Sequence, residues 1–194
     1  KPVVSGFDPA MAANSDPGLL LTALGRPASI EEIAKISPWR YRAPLSPDMA
    51  ARREGSQLDF AALGEFTLRA ILTRRDVLFV EGVGGVMVPL DDEHTVLDWM
   101  MILRLPVILV AGSYLGTISH TLTALDALMR RELAVLTVVV NETEGSSVPL
   151  ADTVASIRRF VSPINVIGVP RAASGDADVS GFERMFATAR LANG

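Results

Sequence analysis

Four short apolar runs punctuate the chain: DVLFVEG at 76–82, LPVILVA at 105–111, AVLTVVV at 134–140 and INVIGVP at 164–170. Each is rich in β-branched residues and nearly continuous in apolarity, the pattern of a strand covered on both faces rather than one. Between the runs the period becomes helical. Phe60, Leu63, Phe66, Ala70 and Ile71 recur at helical spacing before the first run, Ile118, Leu122, Leu125 and Met129 after the second, and Val154, Ile157 and Val161 before the fourth. Buried strands alternating with amphipathic helices predict an α/β fold, an open and mostly parallel sheet flanked by helices with right-handed crossovers. In such sheets ligands collect beyond the carboxyl ends of the strands.

Composition narrows the class. The 194 residues, 49% hydrophobic and 21% charged, are enough for one domain over 1–194 with a substantial core. A net charge of -4 leaves no basic face, which argues against nucleic acid as a partner. The absence of cysteine excludes disulfides and cysteine-built zinc sites. No apolar run approaches the roughly 20 residues that cross a bilayer, and no signal segment opens the chain. A cytoplasmic protein without membrane contact is the expectation. The first residue is Lys1, in a motif-like stretch, so further residues are expected upstream.

Candidate chemistry gathers at the predicted strand ends. Glu81 closes the first run and is followed by Gly82, Gly84 and Gly85, which allow close approach of backbone to a ligand or positive φ. A tight turn beside a solvated acid has the same sequence, and the glycine spacing does not fit a dinucleotide fingerprint. In KPVVSGFDPAMAANSDPGLL, Lys1, Ser5 and Asp16 supply a cation, a hydroxyl and a carboxylate. A lysine suits phosphate, and Asp16 with Glu81 suits a hard divalent ion, although Asp16 equally suits a helix cap and Lys1 a solvated terminus. PLSP at 44–47 reads as a rigid loop. In AGSYLGTISH the free amides of a helix start, near Leu115 to Ile118, would receive an anion, or Ser113 or Thr117 would cap the helix. His94 and His120 read as structural or surface residues. Asn141, closing the third run, offers an amide that can both donate to and accept from a planar heterocycle.

The ordered set KPVVSG, NSD, PLSP with Glu54-Gly55, VEGVGGVMVPL, TVLDWM, LPVILVAGSYLGTISHTLTAL, VVVNE and GVPR resembles the dethiobiotin synthetase family, within the P-loop NTPase superfamily, along most of the chain. The resemblance implies an ATP- and Mg2+-dependent cyclo-ligase of biotin synthesis, a homodimer that closes the ureido ring of dethiobiotin from 7,8-diaminopelargonate and CO2 or bicarbonate. By that resemblance Lys1 is the active-site lysine and Ser5 a substrate-contacting hydroxyl. Asp16 and Glu81 hold magnesium at the nucleotide. Gly82, Val83 and Gly84 lie along phosphate, and Asn141, Glu142, Val169, Pro170 and Arg171 surround adenine. Leu115, Gly116, Thr117 and Ile118 receive the substrate carboxylate across the dimer interface.

Two departures qualify the match. Ser119 stands where the family carries asparagine before histidine, so side-chain contacts there are not carried over. No GxxxxGK[ST] occurs in these residues, although in the family that loop and its strand precede KPV and cradle the phosphates. The expectation is an N-terminally truncated sequence, inactive by itself. A cobyrinate-type amidoligase would bring a glutamine-hydrolysing domain with a nucleophilic cysteine, which this chain does not contain. A non-catalytic interaction module fits the missing loop, but not the joint presence of Lys1, Asp16, Glu81 and Asn141.

Overall fold

In the computed structural model, residues 1–74 and 76–171 are described. The chain divides into two compact units, Lys1–Arg104 and Leu105–Gly194. Both are α/β, and every pairing between named strands is parallel. Among the described residues no helix is long and apolar enough to cross a membrane.

In the first unit β1 (Val3–Ser5) lies beside β2 (Trp39–Tyr41), with Val3 opposite Trp39 and Ser5 opposite Tyr41. The connection holds a 3-10 turn (Pro9–Asn14), α1 (Asp16–Ala23) and α2 (Ile30–Ile36), and α3 (Pro47–Arg53), α4 (Phe60–Thr73) and α5 (Val96–Leu103) follow. Local chemistry sets the helix starts. The Asp59 carboxylate accepts from the Ala62 amide at 2.9 Å to open α4, and Thr95 with Asp98 forms a reciprocal capping box on α5. PLSP is loop only in part, since its Pro47 is the first residue of α3. Leu63, Leu90 and Trp99, at most 2% exposed, centre the main core. A second cluster joins Val4, Phe7, Leu21 and Ile33.

The second unit orders β3 (Val107–Gly112), β4 (Val135–Asn141) and β5 (Asn165–Val169) side by side. The crossovers are α6 (Thr117–Arg130) and α7 (Leu150–Val161), so this unit is the alternation that the apolar runs predict. Leu125 of α6 and Ile157 of α7 pack on Val138, Val140 and Val166 of the sheet.

The run at 76–82 is the correction: it forms no strand. It keeps a period of two, with Leu78 and Val80 half-buried and Val77 and Phe79 60% and 61% exposed. Val80 packs against the core around Trp99. Apolar patterning supplies one requirement of a strand, but neighbours must also take its ladder bonds. Among the described residues, the sheet of this unit is only two strands of three residues each, and the run does not join it.

Candidate active site

In the first unit, Lys1 opens the segment that becomes β1. Its carbonyl accepts from the Ser37 hydroxyl, and the Trp39 amide donates to the Pro2 carbonyl at 3.2 Å, so the start of the strand is tied to β2. Asp16 is the first residue of α1. Ser15, not Asp16, caps that helix, its hydroxyl accepting from the Gly18 amide at 3.4 Å. The carboxylate of Asp16 is thereby left for other partners. Gly18 is sterically required, because a β-carbon there would lie 2.3 Å from the Ala12 carbonyl oxygen and 2.6 Å from that of Ala13. This close approach of α1 to the 3-10 turn fixes where Asp16 points.

Asp16 and Glu81, 65 positions apart in the chain, meet at Lys1. The Lys1 ammonium lies 2.7 Å from Asp16 Oδ2 and 2.6 Å from Glu81 Oε1. The Lys1 side chain is 9% exposed, whereas the carboxylates are 60% and 50% exposed. Burial alone would pull the ammonium down, but hydrogen bonds and charge from Asp16 and Glu81 outweigh it and hold Lys1 above its ordinary value. The lysine is therefore a fixed cation at neutral pH. The two acidic oxygens share one cation with open space around them. Magnesium characteristically takes one or two carboxylates and completes its octahedron with water and phosphate oxygens, so this donor set fits it. No cluster of three or more acidic, histidine or cysteine ligands forms among the described residues.

Two further features of this unit face outward chemically. Ser5 Oγ is buried and has no hydrogen-bond partner among the described residues. The amides of Gly82, Val83 and Gly84 likewise donate to no group among them. Beyond them the loop becomes well tied: Val88 N donates to Gly85 O, Leu97 N to Val86 O and Val96 N to Val88 O, at 2.8 to 3.1 Å. Gly84 sits at φ +66, and a β-carbon there would lie 2.8 Å from Val88 Cγ2. Positive φ and close approach both occur at this one glycine.

In the second unit the predicted residues stand at strand ends. Gly112, Asn141 and Val169 are opposite one another across β3, β4 and β5. Glu142 N donates to Val169 O at 2.9 Å, and the Glu142 carboxylate accepts from Arg171 N at 2.9 Å. Asn141, Glu142, Val169, Pro170 and Arg171 are thus one contiguous edge. Gly116, at φ 94, stands at the N-cap of α6 without a side-chain cap. Neither sequence candidate caps this helix: Thr117 Oγ1 donates to Gly112 O at 2.6 Å, and Ser113 Oγ accepts from Thr143 N at 3.0 Å. The amides of Leu115, Gly116 and Ile118 make no hydrogen bond among the described residues, which is the electrostatic setting for an anion at a helix start.

Sequence reasoning missed Gly18 and Thr143, and it offered Ser113 only as a helix cap, a role the structure does not give it. Thr143 had one available signal, its place two residues beyond Asn141 at a predicted strand end. The packing of Gly18 and the pairing of Ser113 with Thr143 are contacts that spacing does not reveal.

A profile of the AAA domain family matches residues 1–174. The chain is similar to the ATP-dependent dethiobiotin synthetase BioD of Acidiphilium cryptum (strain JF-5), 49% identical over 162 residues that cover 83% of this chain and 73% of the relative. It is similar to the protein of the same name from Caulobacter vibrioides (strain NA1000 / CB15N), 49% identical over 179 residues, 91% of this chain and 80% of the relative. A more distant relative of that name, from Legionella pneumophila (strain Corby), is 39% identical over 130 residues, 66% of this chain and 59% of its own. With identity at this level over most of its length, the chain belongs to the ATP-dependent dethiobiotin synthetase family.

Proposed function

We propose that the protein is an ATP-dependent cyclo-ligase that makes dethiobiotin from 7,8-diaminopelargonate and CO2, in the biosynthesis of biotin. The observation that carries the reading is the convergence of Asp16 and Glu81 on the ammonium of Lys1. Family membership supports ATP as the phosphoryl donor.

One amine of the substrate attacks CO2 and loses a proton, giving a carbamate. A carbamate oxygen then attacks the γ-phosphorus of ATP, and ADP leaves. The second amine attacks the carbonyl carbon of this mixed anhydride, loses a proton and expels phosphate as the ring closes. Two anions must be brought together, so the protein's task is to neutralise charge and orient. Lys1 supplies a fixed positive charge, and the Gly82 to Gly84 amides supply donors for phosphate oxygens. Asp16 and Glu81 would hold magnesium, which when bound offsets the charge that develops on the phosphates. Ser5 Oγ donates to the substrate.

In the second unit, Asn141, Glu142 and the Val169 to Arg171 edge take the adenine, and the Leu115 to Ile118 turn takes the substrate carboxylate. The turn acts across a homodimer interface, a role supported by Leu115, which is 89% exposed at its tip. Because the reaction consumes ATP, the cytoplasm is the proposed compartment.

Ring closure followed with labelled bicarbonate, in the product of the complete reading frame, tests the reading through Glu81→Gln. Loss of one preorganised electrostatic group typically slows an enzyme about a hundredfold or more, and that loss is expected here. Undiminished turnover would remove Glu81 from the metal site.

A further inference from the structure

A buried lock joins the two loops at the carboxyl edge of the second unit's sheet. Ser113, fully buried, donates its amide both to Asn141 O and to Thr143 Oγ1, each at 3.0 Å. Thr143 returns the bond, its amide donating to Ser113 Oγ at 3.0 Å. The next contact extends the lock into the helix, with Thr117 Oγ1 donating to Gly112 O at 2.6 Å, and Thr117 is 2% exposed. Gly112 leaves room for the arrangement, since a β-carbon there would lie 2.6 Å from Thr143 Oγ1.

These bonds have one geometric result. The segment that presents Leu115 to Ile118 and the segment that presents Asn141 and Glu142 cannot shift independently without breaking at least one bond to a buried group. Such reciprocal pairs are costly to leave half-satisfied, because the remaining donor or acceptor stays desolvated. We propose that Ser113 and Thr143 are positioning residues that set the substrate-carboxylate turn and the adenine edge as a single body. The inference rests on the assignment of those two stretches given under Proposed function. It adds that affinity for both ligands depends on one hydroxyl that touches neither.

Thr143→Val isolates that hydroxyl, since the two side chains are close in shape and differ in the polar atom. In the product of the complete reading frame, the variant is expected to raise the KM for ATP and the KM for 7,8-diaminopelargonate together, by about three- to tenfold, with kcat falling less than either KM rises. Thr143→Ser is expected to restore both. A role in folding alone would lower the melting temperature and leave the two KM values in place, and that result overturns the proposal. So does movement of only one KM, or a Thr143→Ser variant that behaves like Thr143→Val. If Thr143→Val is not recovered folded, Ser113→Ala removes the other half of the pair and is read in the same way. Asn141→Ala separates the inference from its basis. An unchanged KM for ATP there overturns the nucleotide reading itself, whereas a raised one alongside an unaffected Thr143→Val overturns the lock.

Discussion

At the scale of single residues, the decisive question is which polar groups the fold leaves unpaired. Ser5 Oγ is buried without a partner, and a buried hydroxyl in that state costs stability of about 1–3 kcal/mol. A group kept at such a cost is best explained by what it meets when substrate arrives. Ser5→Ala is therefore expected to leave the melting temperature unchanged or raise it, while the KM for the diamine rises several-fold. Thermal unfolding beside steady-state kinetics measures both, and a marked loss of stability with unchanged KM would assign the hydroxyl a structural use instead. The sequence displayed Glu81 at a predicted strand end and Lys1, Ser5 and Asp16 as reactive types within one short N-terminal span, and Asp16 and Glu81 are both seen to touch Lys1. The contact itself was not legible. It depends on Ser15 taking the cap of α1 and on Gly18 admitting the helix against two carbonyls, and both are facts of three-dimensional approach.

At the scale of elements, the hairpin between the glycine loop and α5 shows how a residue of little sequence weight acquires a role. Leu90 N donates to His94 O at 2.8 Å, and Pro89 bridges Thr95. Asp91, its side chain 9% exposed, accepts from the amides of Glu93 and His94 at 2.8 and 2.7 Å and lies 3.0 Å from His94 Nδ1. The His94 ring stacks on Phe60 of α4 with centroids 3.9 Å apart. Burial alone would push Asp91 up, but the amides of Glu93 and His94 and the His94 ring outweigh it and hold the carboxyl below its ordinary value of 3.8. A folded-state value below the unfolded one contributes stability that is fully present above pH 3.8 and is lost as pH falls through the lower folded value. Asp91→Ala should lower unfolding free energy at neutral pH by about 1–3 kcal/mol, and the gap from the parent should narrow on acidification below pH 3.8. Denaturant titrations across that range provide the check, and a gap independent of pH would remove the ionised carboxylate from the explanation. The helices α4, α6 and α7 were legible because each has a wide apolar stripe at helical period. β1 and β2 did not stand out as apolar runs because three residues carry too little pattern to separate a strand from a loop.

At the scale of the whole molecule, patterning and pairing part company, and the difference can be measured. In the second unit the strand runs were legible to within two residues at each end because a central strand, β4, has a parallel neighbour on either side and helices to bury it. Its residues Val138, Val139 and Val140 are at most 1% exposed. In the first unit the run at 76–82 is apolar at four of its seven positions, as many as the run at 164–170 that forms β5, and yet remains outside the sheet, since no local rule supplies a strand with partners. Amide exchange should reflect this contrast. Amides of Val138 to Val140 are expected to exchange only on global unfolding, whereas those of Gly82, Val83 and Gly84, which donate to nothing among the described residues, should exchange orders of magnitude faster. The functional reading adds a second expectation. If these three amides lie along the phosphates, ATP with a divalent cation should slow their exchange in the product of the complete reading frame, while Glu81→Gln should weaken that protection. Residue-resolved exchange by NMR, with and without nucleotide, tests both statements. Gly82 to Gly84 amides that stay fast at saturating ATP would detach the glycine loop from the phosphate site, whatever becomes of the carboxylates beside it.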